Sequence, residues 1–193
     1  MSNRMTETHA QSQRPLRADA LRNYEKLVSA ARDVFTEQGG SASLEAVAER
    51  AGVGIGTLYR RFPTRQALLE AVYADEVDVM ARAARDLAHL PPFEALSEWF
   101  HQYVGFAATK RALMEGLLEA APDSDVLITC RTALADAGNE LIERGQKAGA
   151  VRLDVTFTDV GRMVGQIAVA PNVDPEQKER MLGIVLDGLR PRT

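Results

Sequence analysis

The sequence predicts an all-α protein of about nine helices without a β-sheet. Apolar residues recur three and four positions apart through most of the 193-residue chain, which is the spacing of one helix face. Pairs such as Gly39-Gly40 and Pro91-Pro92 interrupt this pattern and mark helix ends. Residues 151–156 alternate like a strand but have no partner strand, so we expect an extended linker there.

Local end signals define the helices of the N-terminal part. We expect N-caps at Asp19, Ser43 and Thr64 for the first, second and fourth helices, since short polar side chains accept hydrogen bonds from first-turn N–H groups. Gly52 ends the second helix because glycine tolerates a positive φ. A short third helix follows over residues 54–62, only three residues after the second.

The C-terminal part also has helical periodicity throughout. We expect a helix over residues 93–109, a shorter one over 110–120, and a long one that begins after Asp123 or Ser124 and stops before Gly149. Two further helices cover residues 158–170 and 174–189, and the pair Asp174-Pro175 is a strong start signal for the last one.

Composition restricts the class of protein. The chain is 46% hydrophobic and 26% charged, which suits a packed core. Its single cysteine, Cys130, excludes a disulfide framework, and we expect it to be a core residue rather than a redox-sensing thiol. His101 and the lone D-x-x-H at residues 86–89 are too few for a metal site. We find neither a signal peptide nor an apolar run that could span a membrane, so we expect a cytoplasmic protein.

Charge is distributed unevenly. Residues 1–65 carry a net charge of +3 and the remainder −7, which sum to the overall −4. Residues 1–18 are polar, and we expect a disordered basic arm. The alternative is that Arg14, Arg17 and Arg22 follow the phosphates of DNA.

The three-residue break at Gly52 is typical of a helix-turn-helix. In the third helix, 3.6-residue periodicity directs Leu58 and Phe62 inward. The opposite side presents small and polar residues, namely Gly56, Thr57 and Arg60, with Ile55, Tyr59 and Arg61 beside them. The major groove of DNA admits one helix and displays a distinct pattern of hydrogen-bonding groups for each base pair. Arg65 begins the fourth helix, where a side chain and a helix N-terminus can hold a phosphate together.

These residues resemble the head of a TetR-family transcriptional regulator. The likeness covers residues 21–78, including VSAARDVFTEQGG (28–40) and AGVGIGTLYRRFPTRQALLEAVY (51–73). RGQKAGAVRLDVTFTDV (144–160) resembles part of the family's body more loosely. The resemblance, together with the residues above, implies DNA contacts from Arg17, Arg22, Ser43, Gly54, Ile55, Gly56, Thr57, Tyr59, Arg60, Arg61 and Arg65. Many members have a polar residue where this chain has Gly54, so one possible polar contact is missing.

The resemblance also implies how such a protein works. We expect a helix-turn-helix domain at residues 19–66 and a ligand-binding, dimerisation domain at 67–193. The homodimer would bind a palindromic double-stranded DNA operator as a repressor, and an unknown small-molecule effector would release it. A ligand-dependent activator or a co-repressor-dependent regulator would use the same head. The sequence has no nucleophile elbow, P-loop or dinucleotide-binding fingerprint, so we expect no enzyme, no cofactor and no membrane partner.

Five of the eleven aromatic residues lie between Phe93 and Phe106. They are either ordinary core or the wall of a ligand pocket, since pockets in helical bodies are mostly apolar. The predicted pocket consists of Trp99, Tyr103, Phe106, Met114, Leu118, Cys130 and Leu134.

Small residues share one face of the helix at 158–170, where they allow another helix to approach. Together with apolar residues they form a predicted dimer interface across a two-fold axis, unless they pack within one chain. The predicted set is Gly161, Val164, Gly165, Ala168, Met181, Leu182, Val185 and Leu189.

Overall fold

The computed structural model describes the backbone of residues 5–39, 41–120 and 124–192, and the side chains of these residues other than 5–18, 20, 108–112 and 114–120. The described part contains eight α-helices and no strand. They are α1 (Met5–Gln38), α2 (Leu44–Ala51), α3 (Ile55–Arg61), α4 (Arg65–Asp86), α5 (Pro92–Ala120), α6 (Asp125–Lys147), α7 (Phe157–Val169) and α8 (Pro175–Gly188). A single 3-10 turn, Leu87–His89, follows α4. The all-α prediction is therefore confirmed.

Two helix boundaries differ from the prediction. The helix α1 begins at Met5 rather than after Asp19, so most of the segment predicted to be a disordered arm is helical. Its polarity indicated exposure to solvent, but residues such as Glu, Gln, Ala and Arg are also good helix formers. The helix α5 is continuous, where two helices were expected, because residues 109–111 (TKR) are polar without being helix breakers.

The predicted local end signals are otherwise present. Ser43 accepts a hydrogen bond from Ala46 N at 3.1 Å, and Thr64 accepts one from Ala67 N at the same distance. Ser124 and Asp174 cap α6 and α8 in the same way. Each cap satisfies one of the N–H groups that the first turn of a helix leaves without a helical partner.

The chain divides into two compact units between Val72 and Tyr73, within α4. In the first unit, α1, α2, α3 and the start of α4 enclose one apolar core. Its buried residues include Leu27, Val28, Ala31, Val34, Phe35, Leu44, Val47, Leu58, Phe62, Leu68, Leu69 and Val72.

In the second unit, α7 packs against α5, α6 and α8. Phe157 lies at the centre of this packing, and its ring contacts those of Trp99, Phe100 and Tyr103 with centroids 5.5–6.3 Å apart. Trp99 Nε1 donates a hydrogen bond to the carbonyl of Met80 at 2.9 Å, so the buried indole N–H is satisfied.

The linker between α6 and α7 is fixed by side chains from both sides. Gln146 Nε2 donates hydrogen bonds to the carbonyls of Arg152 and Val155, each at 3.0 Å. Thr156 and Asp159 form a capping box that begins α7. No described residue of this linker belongs to a strand, as predicted.

Candidate DNA-binding surface

The helices α2 and α3 are joined by a turn of three residues. Gly52 adopts the left-handed conformation (φ +67°), which closes the C-terminus of α2. Val53 N donates to the carbonyl of Ala48 at 3.0 Å, and Gly54 (φ −70°, ψ 144°) precedes the first residue of α3. Because Gly54 has no side chain, α3 begins without a side-chain cap.

One side of α3 is buried and the other is exposed. Leu58 is fully buried, and Phe62, directly after the helix, is 4% exposed. On the opposite side, the apolar Ile55 and Tyr59 remain 37% and 46% exposed. Of the other residues predicted for this surface in and before α3, Thr57 is half-buried. The remaining ones are exposed, namely Gly54, Gly56, Arg60 and Arg61.

The two adjacent arginines of α3 have different surroundings. The guanidinium carbon of Arg61 lies 4.7 Å from the centroid of the Tyr24 ring, and that ring also contacts Phe62. Arg61 is therefore held against α1 by a cation–π contact. No described residue forms a hydrogen bond or ion pair with Arg60, which leaves its guanidinium available to a ligand of this surface.

Ser43 combines a structural role with an available donor. Its hydroxyl oxygen accepts the N–H of Ala46 and so caps α2. A hydroxyl also has one proton to donate, and this proton is not used by the cap. Because Ser43 is exposed, that donor can reach an anion beside the surface.

Arg65 is the first residue of α4, as predicted, and its side chain makes contacts that the sequence did not predict. It is half-buried, and its Nη2 donates to the carbonyl of Ser41 at 3.3 Å and to the carbonyl of Ala42. The guanidinium carbon also lies 5.6 Å from the centroid of the Phe35 ring. The side chain thus contacts the turn between α1 and α2, a role that the sequence analysis missed because these partners are more than twenty residues away.

Arg17 and Arg22 were predicted to contact DNA from the N-terminal part of the chain. Arg22 is exposed and forms an ion pair with Asp19, one turn earlier in α1. Arg17 lies outside the residues whose side chains are described.

A further arginine, Arg50, was not predicted: it makes two hydrogen bonds with Glu37, at 3.0 and 2.8 Å, that join α2 to α1. The hydrogen bond from Arg50 lowers the pKa of the Glu37 carboxyl.

The predicted pocket residues lie in the core of the second unit. Trp99, Tyr103, Phe106, Cys130 and Leu134 are all at most 7% exposed. Tyr103 stacks on Trp99 and contacts Phe106 with centroids 5.5 and 5.6 Å apart, as expected of a packed core. Burial raises the pKa of the Tyr103 hydroxyl. The other two predicted residues, Met114 and Leu118, lie outside the described side chains.

Five residues of the predicted dimer interface are instead buried within the chain. Gly161, Val164, Ala168, Leu182 and Leu189 pack among α5, α6, α7 and α8 of the same unit, so they are not surface residues. A β-carbon added to Gly161 would lie 2.8 Å from the Phe157 ring. Gly161 therefore makes room for the ring of Phe157, one turn earlier in the same helix, and its small size does not indicate a partner helix.

The apolar residues that α7 and α8 do expose line a groove between these helices. Met163 is 54% exposed and Ile184 is 73% exposed, and both belong to its walls. Of the predicted interface, Met181 and Val185 line the groove and Gly165 is half-buried. The complete lining is Met163, Gln166, Ile167, Ala170, Met181, Ile184 and Val185.

Two family models match the sequence. The model described as bacterial regulatory proteins, tetR family, matches residues 27–72, which cover the C-terminal part of α1, the helix-turn-helix and the start of α4. The model described as the C-terminal domain of SbtR-like transcriptional regulators matches residues 91–191, more than half of the chain. The chain belongs to the TetR family.

Solved structures of other TetR proteins have the same fold. A TetR transcriptional regulator from Streptomyces coelicolor is 40% identical, with a TM-score of 0.74, over 88% of this chain and 99% of the other. A TetR transcription regulatory protein from Mycobacterium vanbaalenii is 34% identical, with a TM-score of 0.73, over 92% of this chain and all of the other.

Curated relatives of the chain are more distant in sequence. An HTH-type transcriptional regulator of Staphylococcus aureus (strain USA300) is 25% identical over 134 residues, which is 69% of this chain. The match spans 64% of the length of that relative. In the described part of this TetR-family chain, no helix is long and apolar enough to cross a membrane. The described residues likewise contain no cluster of three or more His, Cys, Asp or Glu that could hold a metal ion.

Proposed function

We propose that this TetR-family chain is a DNA-binding repressor that acts as a homodimer and is released from its operator by a small molecule. The observation that carries the proposal is the exposed side of α3. It combines apolar surface at Ile55 and Tyr59 with a guanidinium at Arg60 that no described residue holds. Apolar surface next to a guanidinium suits a surface that binds a partner.

We assign the recognition of DNA bases to Arg60 and the contacts with the DNA backbone to residues around it. An arginine can donate two hydrogen bonds to a guanine edge, the commonest specific contact in the major groove. Gly54 and Gly56 have no side chain and allow α3 to approach the base edges closely. The hydroxyl of Ser43 and the guanidinium of Arg61 are suited to phosphate oxygens, which fix the orientation of the protein without reading sequence.

A second copy of the chain is the proposed occupant of the groove between α7 and α8. Its lining residues are apolar apart from Gln166, and two of them, Met163 and Ile184, are more than half exposed. Burying them against the same groove of a partner would form a two-fold interface. In such a dimer the two α3 helices would lie about 34–36 Å apart, so that each reads one half of a palindrome.

The ligand is proposed to bind in the second unit among residues of α5 and α6, beside the rings of Trp99, Tyr103 and Phe106. Ligand and operator would then compete through a change in the direction of α4, which is continuous from the DNA-binding unit into the body. Such a coupling is typically about 1–3 kcal/mol. The sign of this coupling free energy distinguishes a repressor released by ligand from a regulator that needs ligand in order to bind DNA.

The test is DNA binding by the purified full chain, followed by fluorescence anisotropy across a salt series. The probes are the DNA flanking the gene and an unrelated duplex of the same length. We expect preferred binding to the first probe and a steep loss of affinity with salt, because each phosphate contact releases counterions. Equal, weak binding to both probes, repeated in a genome-wide selection of fragments, would contradict the proposal.

Arg60→Ala is the variant that tests the base-reading assignment. We expect it to reduce affinity for the preferred site about 10-fold or more and to relax the base preference at one position in each half-site. The matched control is Arg82→Ala, which removes one exposed positive charge from the body part of α4. If both variants select the same sites as the unmodified chain, another residue reads the bases.

A further inference from the structure

Arg65 is the residue whose surroundings differ most from its expected role. Its Nη2 group donates to two main-chain carbonyls, those of Ser41 and Ala42, whereas the sequence predicted a contact with a phosphate. Both carbonyls precede α2 and accept no hydrogen bond within that helix, since its first residue is Leu44. Main-chain carbonyls of a partly buried turn need such donors.

The turn that Arg65 contacts is fixed on its other side by α1. Gly39 (φ +82°) ends α1, and the N–H of Ala42 donates to the carbonyl of Gly39 at 3.1 Å. Ala42 itself is 7% exposed, so its carbonyl lies in a region that water reaches poorly. The turn is therefore held between the end of α1 and the first turn of α4.

Ser43 follows this turn directly and depends on its position. Its hydroxyl caps α2 through Ala46, and the same residue is exposed and belongs to the proposed DNA contacts. The helix α2 in turn supports α3 through the three-residue turn at Gly52. A displacement of residues 41 and 42 is thus passed to the cap of α2 and to the surface that it supports.

We propose that Arg65 is a positioning residue of the DNA-binding unit, which ties the first turn of α4 to the α1–α2 turn and so fixes Ser43 and α2. Its effect on DNA binding acts through these residues. This inference rests on the proposed DNA binding.

Two substitutions separate the positioning role from a phosphate contact. Arg65→Lys keeps the positive charge but replaces the planar guanidinium, which also stacks on Phe35, with a compact ammonium. Arg65→Ala removes both the charge and the donors. The readouts are operator affinity and the slope of log affinity against log salt, which changes by about 0.9 for each phosphate that the protein no longer neutralises.

We expect Arg65→Lys to lower affinity about 5- to 10-fold, with a salt slope equal to that of the unmodified chain. Arg65→Ala should lower affinity further and change the slope by less than about 0.5. The proposal is overturned if Arg65→Lys binds normally while Arg65→Ala flattens the slope by about 2, the value for one phosphate contact per protomer. Failure of the unmodified chain to bind DNA would instead contradict the proposed function.

Hydrogen exchange without DNA provides an independent measurement. In both Arg65 variants we expect faster exchange of the Ala46 amide, which the Ser43 cap protects. Amides in the middle of α1, such as that of Ala31, should exchange at the same rate as in the unmodified chain, which shows that the unit is still folded. Unchanged exchange at Ala46 would contradict the positioning role even if DNA affinity fell.

Discussion

The ring of Phe157 fills the space beside Gly138 that any larger residue would need. A β-carbon added to Gly138 would lie 2.3 Å from Cδ2 of that ring, closer than two carbon atoms can approach. Gly138 is in α6 and Phe157 is the first residue of α7, so the missing side chain sets the distance between these helices.

Gly138→Ala should therefore destabilise the second unit. Alanine is the better helix former, but the clash forces the Phe157 ring to move, and overpacking of this kind costs about 1–3 kcal/mol. The measurement is urea unfolding followed by circular dichroism. The control is Gly183→Ala in α8, where an added β-carbon meets no atom within 4 Å and should stabilise by about 0.5–1 kcal/mol. Equal stabilities of the two variants would show that the ring yields without cost.

Gly56→Ala should separate stability from DNA binding. Gly56 lies within α3, and a β-carbon there meets no atom within 4 Å, so alanine should stabilise the first unit by about 0.5–1 kcal/mol. If α3 approaches base edges along this side, the extra methyl group should weaken operator binding about 10-fold or more. Thermal unfolding and anisotropy of the same sample measure both effects. A variant that is more stable and binds DNA normally would place Gly56 away from the DNA.

The pair of His101 and Glu179 should make stability depend on pH. Partial burial lowers the pKa of His101, but the hydrogen bonds with the carbonyl of Ser97 and with Glu179, at 2.7 and 2.8 Å, and the charges of Glu179 and Glu98 outweigh it. The net effect is a pKa above the ordinary value of 6.5. The resulting stabilisation is present in full below pH 6.5 and is lost as the pH rises through the raised value.

Two-dimensional NMR of the His101 ring gives its pKa directly, and urea unfolding at several pH values gives the stability. In Glu179→Gln, we expect the pKa of His101 to fall and the pH dependence to become weaker. Glu176→Gln, one turn earlier and also exposed, is the control. A His101 pKa that does not respond to Glu179→Gln would rule out the pair as the cause.

Ile184→Glu should prevent association of two chains through the groove between α7 and α8. Ile184 is 73% exposed, so a charge there costs little in a single chain but would be buried without a partner in the proposed dimer. Sedimentation velocity at micromolar concentration should show a monomer. Leu153→Glu is the matched control, because Leu153 is even more exposed (82%) but does not line this groove. A dimer that persists in Ile184→Glu would place the interface elsewhere.

The features that the sequence predicted correctly depend on neighbouring residues. Ser43 caps α2 through an N–H three residues later, and Gly52 ends the same helix by its own backbone conformation. Such signals are contained within one turn of the chain. The outward side of α3 was also predictable, because helical periodicity places Leu58 and Phe62 on the inward side, where both are buried.

The features that it missed depend on contacts between distant residues. Arg65 contacts carbonyls, which carry no sequence signal, and Arg50 meets Glu37 thirteen positions away. Gly138 of α6 makes room for Phe157 of α7, nineteen positions away, and its small size carries no sign of which side chain it admits. Periodicity identifies the face of a helix, and only the packed structure identifies its neighbour.

The burial of Cys130 makes site-specific labelling straightforward. This thiol is the only one in the chain and is 6% exposed, so thiol-reactive dyes and spin labels should react with it slowly. A cysteine introduced on an exposed position such as Lys26 of α1 would then carry nearly all of the label without removal of the native residue. In the proposed homodimer, the distance between the two labels could be followed during titrations with operator or small molecules, in a protein whose core remains unaltered.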